Sequence, residues 1–293
     1  MRRKIRMETL SAAALKNLAR LRAKKYRRRE GRFLVEGARL AREALESPCQ
    51  VELAIVEEGT EGNWMELLAR VGERGGKAAV VPKGRLAKLA DTVTPQGIVL
   101  EVAAREFTPE GILALRGGVT LLDRIGDPGN VGAILRSAWA FGLSGALFLP
   151  GTAEARSPKV LRASMGGAFR IPIAEDVEPG RALELLRGHG YVLVAAKPRD
   201  GEPLARARLA PRTAFLIGSE ARGLSADLAA GADLAVTIEQ DPGAESLNAA
   251  VAAGILFHRW RLDTYGMGLL GMERNVSGLN KDGPENPSPI SDP

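Results

Sequence analysis

Three segments hold the residues whose types and spacing point to chemistry. The first, LLDRIGDPGNVGAILRSAWAFG (121–142), runs from a strand ending at Asp123 through a Gly/Pro turn into a helix beginning near Asn130. Gly126, Gly129 and Gly132 permit unusual backbone angles and close approach by a ligand. They match neither G-x-G-x-x-G nor a G-K-[ST] phosphate loop, so a nicotinamide fold or an NTPase lacks its signature. Arg136 follows Asn130 by about 1.67 helical turns, so the two need not share a face. Asn130 at the helix entrance can still lie near a group that the long Arg136 side chain reaches. An Arg among Ile134, Leu135, Ala138 and Trp139 is costly to bury without a partner.

The second segment, TAFLIGSEARGLS (213–225), is an apolar strand running into Gly218, then Ser219, Glu220 and Gly223. The carboxyl end of a parallel strand is where α/β folds bind ligands. The plainer reading is a strand-to-loop turn in which Glu220 caps backbone amides. The third, LAVTIEQDPGAESLNAAVAAGILFHRW (234–260), places Ser246-Leu247-Asn248 at the start of an apolar helix. Ser246 suits an N-cap. Ala249, Ala250, Ala252, Ala253 and Gly254 allow very close backbone approach to another helix, a subunit or a loop of the same chain.

These segments must be positioned by an alternating series of strands and helices. Apolar runs at 119–123, 145–150, 191–196, 213–218 and 233–239 predict strands buried on both faces, as in a parallel sheet. Helical spacing is expected at 130–141, 158–165, 179–187 and 246–262. Upstream, Leu10, Leu15, Leu18 and Leu21 predict an amphipathic helix over 9–25. FLVEG (33–37) is a short apolar run closed by Gly, and strands are expected at 51–58, 77–82 and 97–103, separated by helices at 62–73 and 83–90. The expected organisation is an N-terminal α/β domain over 1–104, a linker over 105–118 and a second α/β domain over 119–264. The Gly, Asn, Pro and Ser of 265–293 predict a disordered tail.

Composition narrows the function classes. The chain has 293 residues with one cysteine and two histidines. That excludes an intrachain disulfide and leaves little for a zinc site or a histidine-based hydrolase. No apolar run approaches the roughly 20 residues needed to cross a bilayer, and the N-terminus lacks a signal-peptide core. A protein of the cytoplasm with no membrane role is expected. The net charge of +6 is uneven: residues 1–34 carry 13 Lys/Arg against 2 Asp/Glu, and the remainder is net acidic. Lys24, Lys25, Arg27, Arg28 and Arg29, with Tyr26 and Phe33 among them, predict contact with nucleic-acid phosphates.

The three segments, in this order, resemble the SpoU (TrmH-type) RNA 2′-O-ribose methyltransferases of the SPOUT superfamily. The motifs stand here as Asn130, Gly132, Arg136 and Gly142; as Leu216-Ile217-Gly218-Ser219-Glu220 with Gly223 and Leu224; and as Ser246-Leu247-Asn248 with Val251 and Ala252. Residues 24–45 and 92–102 look like that family's N-terminal substrate-binding domain, which has an L30e-like fold. The resemblance covers about residues 9–262. It implies a mostly parallel sheet with helices on both faces, a deep trefoil knot, S-adenosylmethionine as cofactor and a homodimer with the active site near the subunit interface.

Carried over by motif, the resemblance implies cofactor contacts from Leu216, Ile217, Gly218, Gly223, Ile238 and Leu247. It points to Arg136 as the residue acting on the ribose hydroxyl. A guanidinium is a poor simple base, so Arg136 is expected to bind the adjacent phosphate and orient the 2′-OH. Asn130 would position Arg136 or the ribose, Ser246 and Asn248 would complete the polar wall, and Glu220 would shape its loop. Lys159 and Arg162 share a helix face, and Arg162 resembles a further phosphate-binding position; a solvated face is the alternative. Large-subunit (23S) ribosomal RNA is the expected substrate and transfer RNA the second choice. The competing readings are a catalytically silent RNA-binding protein of ribosome assembly and a Rossmann oxidoreductase.

Overall fold

The computed structural model describes residues 7–92, 95–241 and 243–266. The expected tail lies outside these residues from 267 onward. The N-terminal half comprises β1 (Met7–Thr9), α1 (Ala12–Arg20), α2 (Lys24–Glu30), β2 (Arg32–Glu36), α3 (Ala38–Leu45), β3 (Val51–Glu57), α4 (Met65–Glu73), β4 (Lys77–Val81) and β5 (Ile98–Ala103). Its strands form one mixed sheet in the order β1-β4-β3-β5-β2. The helix expected over 9–25 is two helices. α1 closes at Leu21, Ala23 is extended, and α2 starts afresh at Lys24. The region 83–90 holds only a 3-10 turn, Leu86–Lys88.

The second half continues with α5 (Pro109–Leu113), β6 (Val119–Asp123), α6 (Pro128–Phe141), β7 (Gly145–Phe148), α7 (Pro158–Ser164), α8 (Gly167–Arg170), β8 (Ile173–Ala174) and α9 (Pro179–Gly188). It ends with β9 (Val192–Lys197), β10 (Glu202–Pro203), β11 (Thr213–Gly218), α10 (Ala226–Ala230), β12 (Leu234–Thr237) and α11 (Ala249–Tyr265). Seven strands pair in the order β10-β12-β9-β11-β6-β7-β8, every pair parallel. Strand alternation splits the core between the two faces of this sheet. Phe215 and Ile217 of β11 pack with Ile134 and Leu135 of α6 and Phe257 and Trp260 of α11. Ala214 and Leu216 face the other way, onto α5, α9 and α10. The stretch expected to be a linker therefore contributes to the core, because Ile112 and Leu113 of α5 are fully buried there.

The two sheets are joined by packing. Leu161 of α7 and Phe169 of α8 enter the core of the N-terminal sheet, and the Phe169 ring stacks on Phe33 at 6.2 Å between centroids. Gly132 sits where α6 crosses α7. A Cβ there would lie 2.4 Å from the Ala163 Cβ, so the motif glycine is needed for the crossing itself.

Candidate active site

The site forms where β6, β9, β11 and β12 end. Asp127 caps α6, its carboxylate accepting from the backbone N–H groups of Gly129 (3.3 Å) and Asn130 (3.1 Å). That cap fixes the first turn and points the Asn130 amide toward the loop after β11. There Gly218 lets the chain turn on itself: a Cβ would stand 2.3 Å from the Gly223 carbonyl carbon. Ser219 and Gly223 then bridge, which holds Glu220 at the tip.

Glu220 joins the three segments through one oxygen. Its Oε1 accepts from Asn130 Nδ2 (3.0 Å), Asn248 Nδ2 (2.7 Å) and the Ala249 backbone N–H (3.2 Å). Asn248 Nδ2 also donates to Asn130 Oδ1 (2.9 Å), closing a triangle of side chains. With all three donors convergent on it, Glu220 is placed to hold other groups rather than to pass a proton. Ser246 is not the N-cap of α11. Asn248 takes that role, its Oδ1 accepting from the N–H groups of Ala250 (2.9 Å) and Val251 (3.2 Å). Ser246 lies in the preceding loop and lines the cleft described next.

A cleft of about 200 Å³ opens between the ends of β9, β11 and β12 and the loop before α11. Ile217, Gly218, Gly223, Ile238 and Leu247 line it, together with Glu220 and Ser246. Leu216 does not, because it sits on the other face of β11, fully buried beneath the sheet. Sequence reasoning passed over Ala196, Lys197 and Pro198, which follow from the rule that ligands gather at parallel strand ends, applied to β9. It also passed over Gln240, whose Oε1 is buried in this wall without a hydrogen-bond partner among the described residues. An apolar slot edged by glycine backbone and an unused acceptor fits an adenosyl group carrying an exocyclic amine.

Arg136 stands apart from this assembly. It is exposed on α6 and makes no side-chain hydrogen bond or ion pair among the described residues. Its neighbour Ser137, with Asn130, Phe141, Val251, Gly254 and Ile255, lines an open groove between α6 and α11. Among the basic residues, Lys24, Lys25 and Lys159 are exposed, and Arg29 pairs with its neighbour Glu30 at 2.6 Å. That carboxylate, through its hydrogen bond, raises the Arg29 pKa further. Arg28 pairs with Asp176 and Arg162 with Asp91 (2.8 Å).

Arg27 corrects the expectation of a phosphate ligand. It is 6% exposed, and its guanidinium donates to both oxygens of Glu154, at 2.9 and 2.5 Å, and to the carbonyls of Leu21 and Arg22. Four of its five N–H donors are used inside the fold. No group of three or more His, Cys, Asp or Glu among the described residues is arranged to hold a metal ion, and no described helix is long and apolar enough to cross a membrane.

Residues 119–258 match the model of the SpoU rRNA methylase family, and residues 13–100 match that of an MRM3-like substrate-binding domain. The chain is similar to a Bacillus subtilis protein named 23S rRNA (guanosine(2553)-2′-O)-methyltransferase RlmP. The two are 32% identical over 255 residues, 87% of this chain and 98% of that one. It is also similar to the AdoMet-bound structure of an rRNA methyltransferase from Sinorhizobium meliloti. There the TM-score is 0.76 and the identity 27%, over 88% of this chain and 98% of that one. The SpoU methyltransferase AviRb from Streptomyces viridochromogenes, in complex with AdoMet, aligns with a TM-score of 0.74 and 27% identity, over 86% and 97% of the two chains. On that family match and the similarity along nearly the whole length of these relatives, the chain belongs to the SpoU family of RNA methyltransferases.

Proposed function

We propose that this S-adenosylmethionine-dependent RNA 2′-O-methyltransferase acts on 23S ribosomal RNA, in the cytoplasm and as a homodimer. The observation that carries the reading is the clamp in which Glu220 ties Asn130 to Asn248 beside the strand-end cleft. A silent RNA-binding protein has no need of that clamp. The 23S assignment is supported by a relative named for that activity, which aligns over 98% of its length and so includes the N-terminal half.

Ile217, Gly218, Gly223, Ile238, Leu247 and Gln240 would hold the cofactor. When bound, it supplies an electrophilic methyl group and leaves as a neutral thioether. The protein's share is alignment. Asn130 and Asn248, fixed by Glu220, face the ribose, and Ser246 completes the polar wall. Arg136 binds a phosphate and orients the 2′-OH. The exposed stripe of α6 that carries Arg136 borders the α6–α11 groove. There Val251 (51% exposed) and Ile255 (38%) form an apolar face next to the clamp. A second copy covers that face and brings the Arg136 stripes to the interface.

The N-terminal unit, an L30e-like substrate-binding domain over 1–104, selects the RNA. Lys24, Lys25, Arg28 and Arg29 supply phosphate contacts there, Lys159 adds one from α7 of the second half, and a deep trefoil knot lies at the cofactor cleft. The test is transfer of labelled methyl from S-adenosylmethionine to unmodified transcripts of 23S rRNA and of transfer RNA. Label in the ribosomal transcript alone is expected. Label in transfer RNA alone overturns the assignment of target.

A further inference from the structure

A second cavity, of about 340 Å³, lies on the other side of Glu220 from the cofactor cleft. It sits between the turn after β6 and the loop after β11, and Ser219, Glu220 and Ala249 line both spaces. Arg124 and Arg222 flank it. We propose that this cavity receives the sugar–phosphate backbone of the target nucleotide, with Arg222 and Arg124 as ligands of a phosphodiester. The proposal rests on the RNA-methyltransferase reading and adds residues that the family motifs leave out.

Arg124 is held in place before any ligand arrives. Its Nε and Nη2 donate to the two oxygens of Asp123, at 3.0 and 3.2 Å. Asp123 is 2% exposed and also accepts from the Ser225 backbone N–H at 2.7 Å, so the carboxylate is itself fixed. Of five guanidinium N–H donors this uses two, leaving the Nη1 side for an anion. The backbone at Arg124 has φ +56°, a left-handed conformation that disfavours any side chain. That turn sets the Arg124 side chain at the mouth of the cavity.

Arg222 has no side-chain partner among the described residues and is exposed on a loop pinned to Ser219, whose Oγ accepts from the Arg222 N–H at 3.3 Å. The cavity also holds two carboxylates, Asp127 and Glu220, which would repel an anion. Both are turned away into existing bonds: Asp127 caps α6, and Glu220 Oε1 already accepts three donors. The rim's unused donors are therefore the cationic ones, Arg222 and the Nη1 side of Arg124, while one oxygen of Glu220 keeps the anion on their side of the cavity. A ribose 2′-OH neighbours its own 3′-phosphate, so a phosphate on this rim sets the sugar against the wall shared with the cofactor cleft.

The test uses the full chain and an unmodified 23S rRNA transcript. Arg222→Ala is expected to raise KM for the RNA about tenfold, the loss of roughly one charge-assisted contact, while kcat changes little. The slope of log binding against log salt should shallow by about 0.7–0.9, one phosphate's worth. Arg222→Lys should restore the slope but only part of KM. Arg124→Lys should raise KM while S-adenosylmethionine affinity, read by calorimetry, stays at the wild-type value. An unchanged KM and salt slope in Arg222→Ala, or a loss of cofactor affinity instead, would overturn the assignment. If wild type transfers no methyl while Arg222→Ala still shallows the binding slope, the phosphate site stands and the methylation reading fails.

Discussion

Glu220 shows how one side chain sets the geometry of a whole site. Its Oε1 gathers an asparagine from α6, an asparagine from the cap of α11 and the first amide of that helix. Glu220→Ala leaves these donors to partial solvation, at about 1–3 kcal/mol for each one not re-satisfied. We expect kcat to fall roughly 100-fold, since small misplacements near a reacting centre have that scale of effect. Glu220→Gln keeps an acceptor oxygen and should retain most activity. Equal losses in the two variants, measured at saturating RNA and cofactor, would mean that the charge acts directly in the reaction. Asn130, Glu220 and Asn248 were legible in the sequence because they stand at positions of the motifs that carry the family resemblance. The misassigned residues failed for identifiable reasons. Leu216 lies one strand position from the cleft and therefore on the opposite face. Arg27 reads as one more cation in a basic run, and nothing local reveals that Glu154, 127 residues later, will bury it.

At the scale of elements, that pair fastens α2 to the loop ahead of α7. Removing one member of a buried, hydrogen-bonded pair strands the other's charge. Arg27→Ala is therefore expected to destabilise by about 3–5 kcal/mol, and Arg27→Met with Glu154→Leu to recover much of that loss. Denaturant unfolding of Arg27→Met, Glu154→Leu and their combination checks it. Additive losses would deny the coupling. The same burial means that removing residues 1–34 would delete core as well as charge, since Leu15, Leu18, Leu21 and Phe33 are all buried. Point substitution of the exposed Lys24 and Lys25 is the cleaner probe of RNA contact. The long apolar strands were legible, with β6 and β11 covering the expected residues, because burial on both faces writes a continuous apolar run. The two-residue strands β8 and β10 and the four-residue α8 are too short to show a period.

The whole molecule couples the N-terminal half, proposed to select the RNA, to the half that carries the cleft by side chains that cross between them. Phe169 and Leu161 lie in the N-terminal core, and Arg170 pairs with Glu43 at 2.7 Å. Such packing makes the distance from the basic helices to the cleft a fixed property of the fold, a relation that no local pattern in the sequence states. The exposed face of α11 belongs to this scale as well. If a second copy covers it, Ile255→Glu should shift the protein from dimer to monomer in light scattering. Methyl transfer should fall with it, while the monomer keeps its circular dichroism spectrum. A variant that remains dimeric would place the interface elsewhere.

In the proposed mechanism the Asn130–Glu220–Asn248 clamp presents a ribose hydroxyl for methylation, with Arg136 acting on it from the exposed face of α6. The direct measurement is the chemical position of the transferred label, with wild type and Arg136→Ala run side by side on an unmodified 23S rRNA transcript followed by alkaline digestion. An alkali-resistant labelled dinucleotide from wild type, and none from Arg136→Ala at undiminished cofactor affinity, is the expected result. Label released on a single nucleotide, which places the methyl on a base, would rule out ribose methylation, and full transfer by Arg136→Ala would rule out its role.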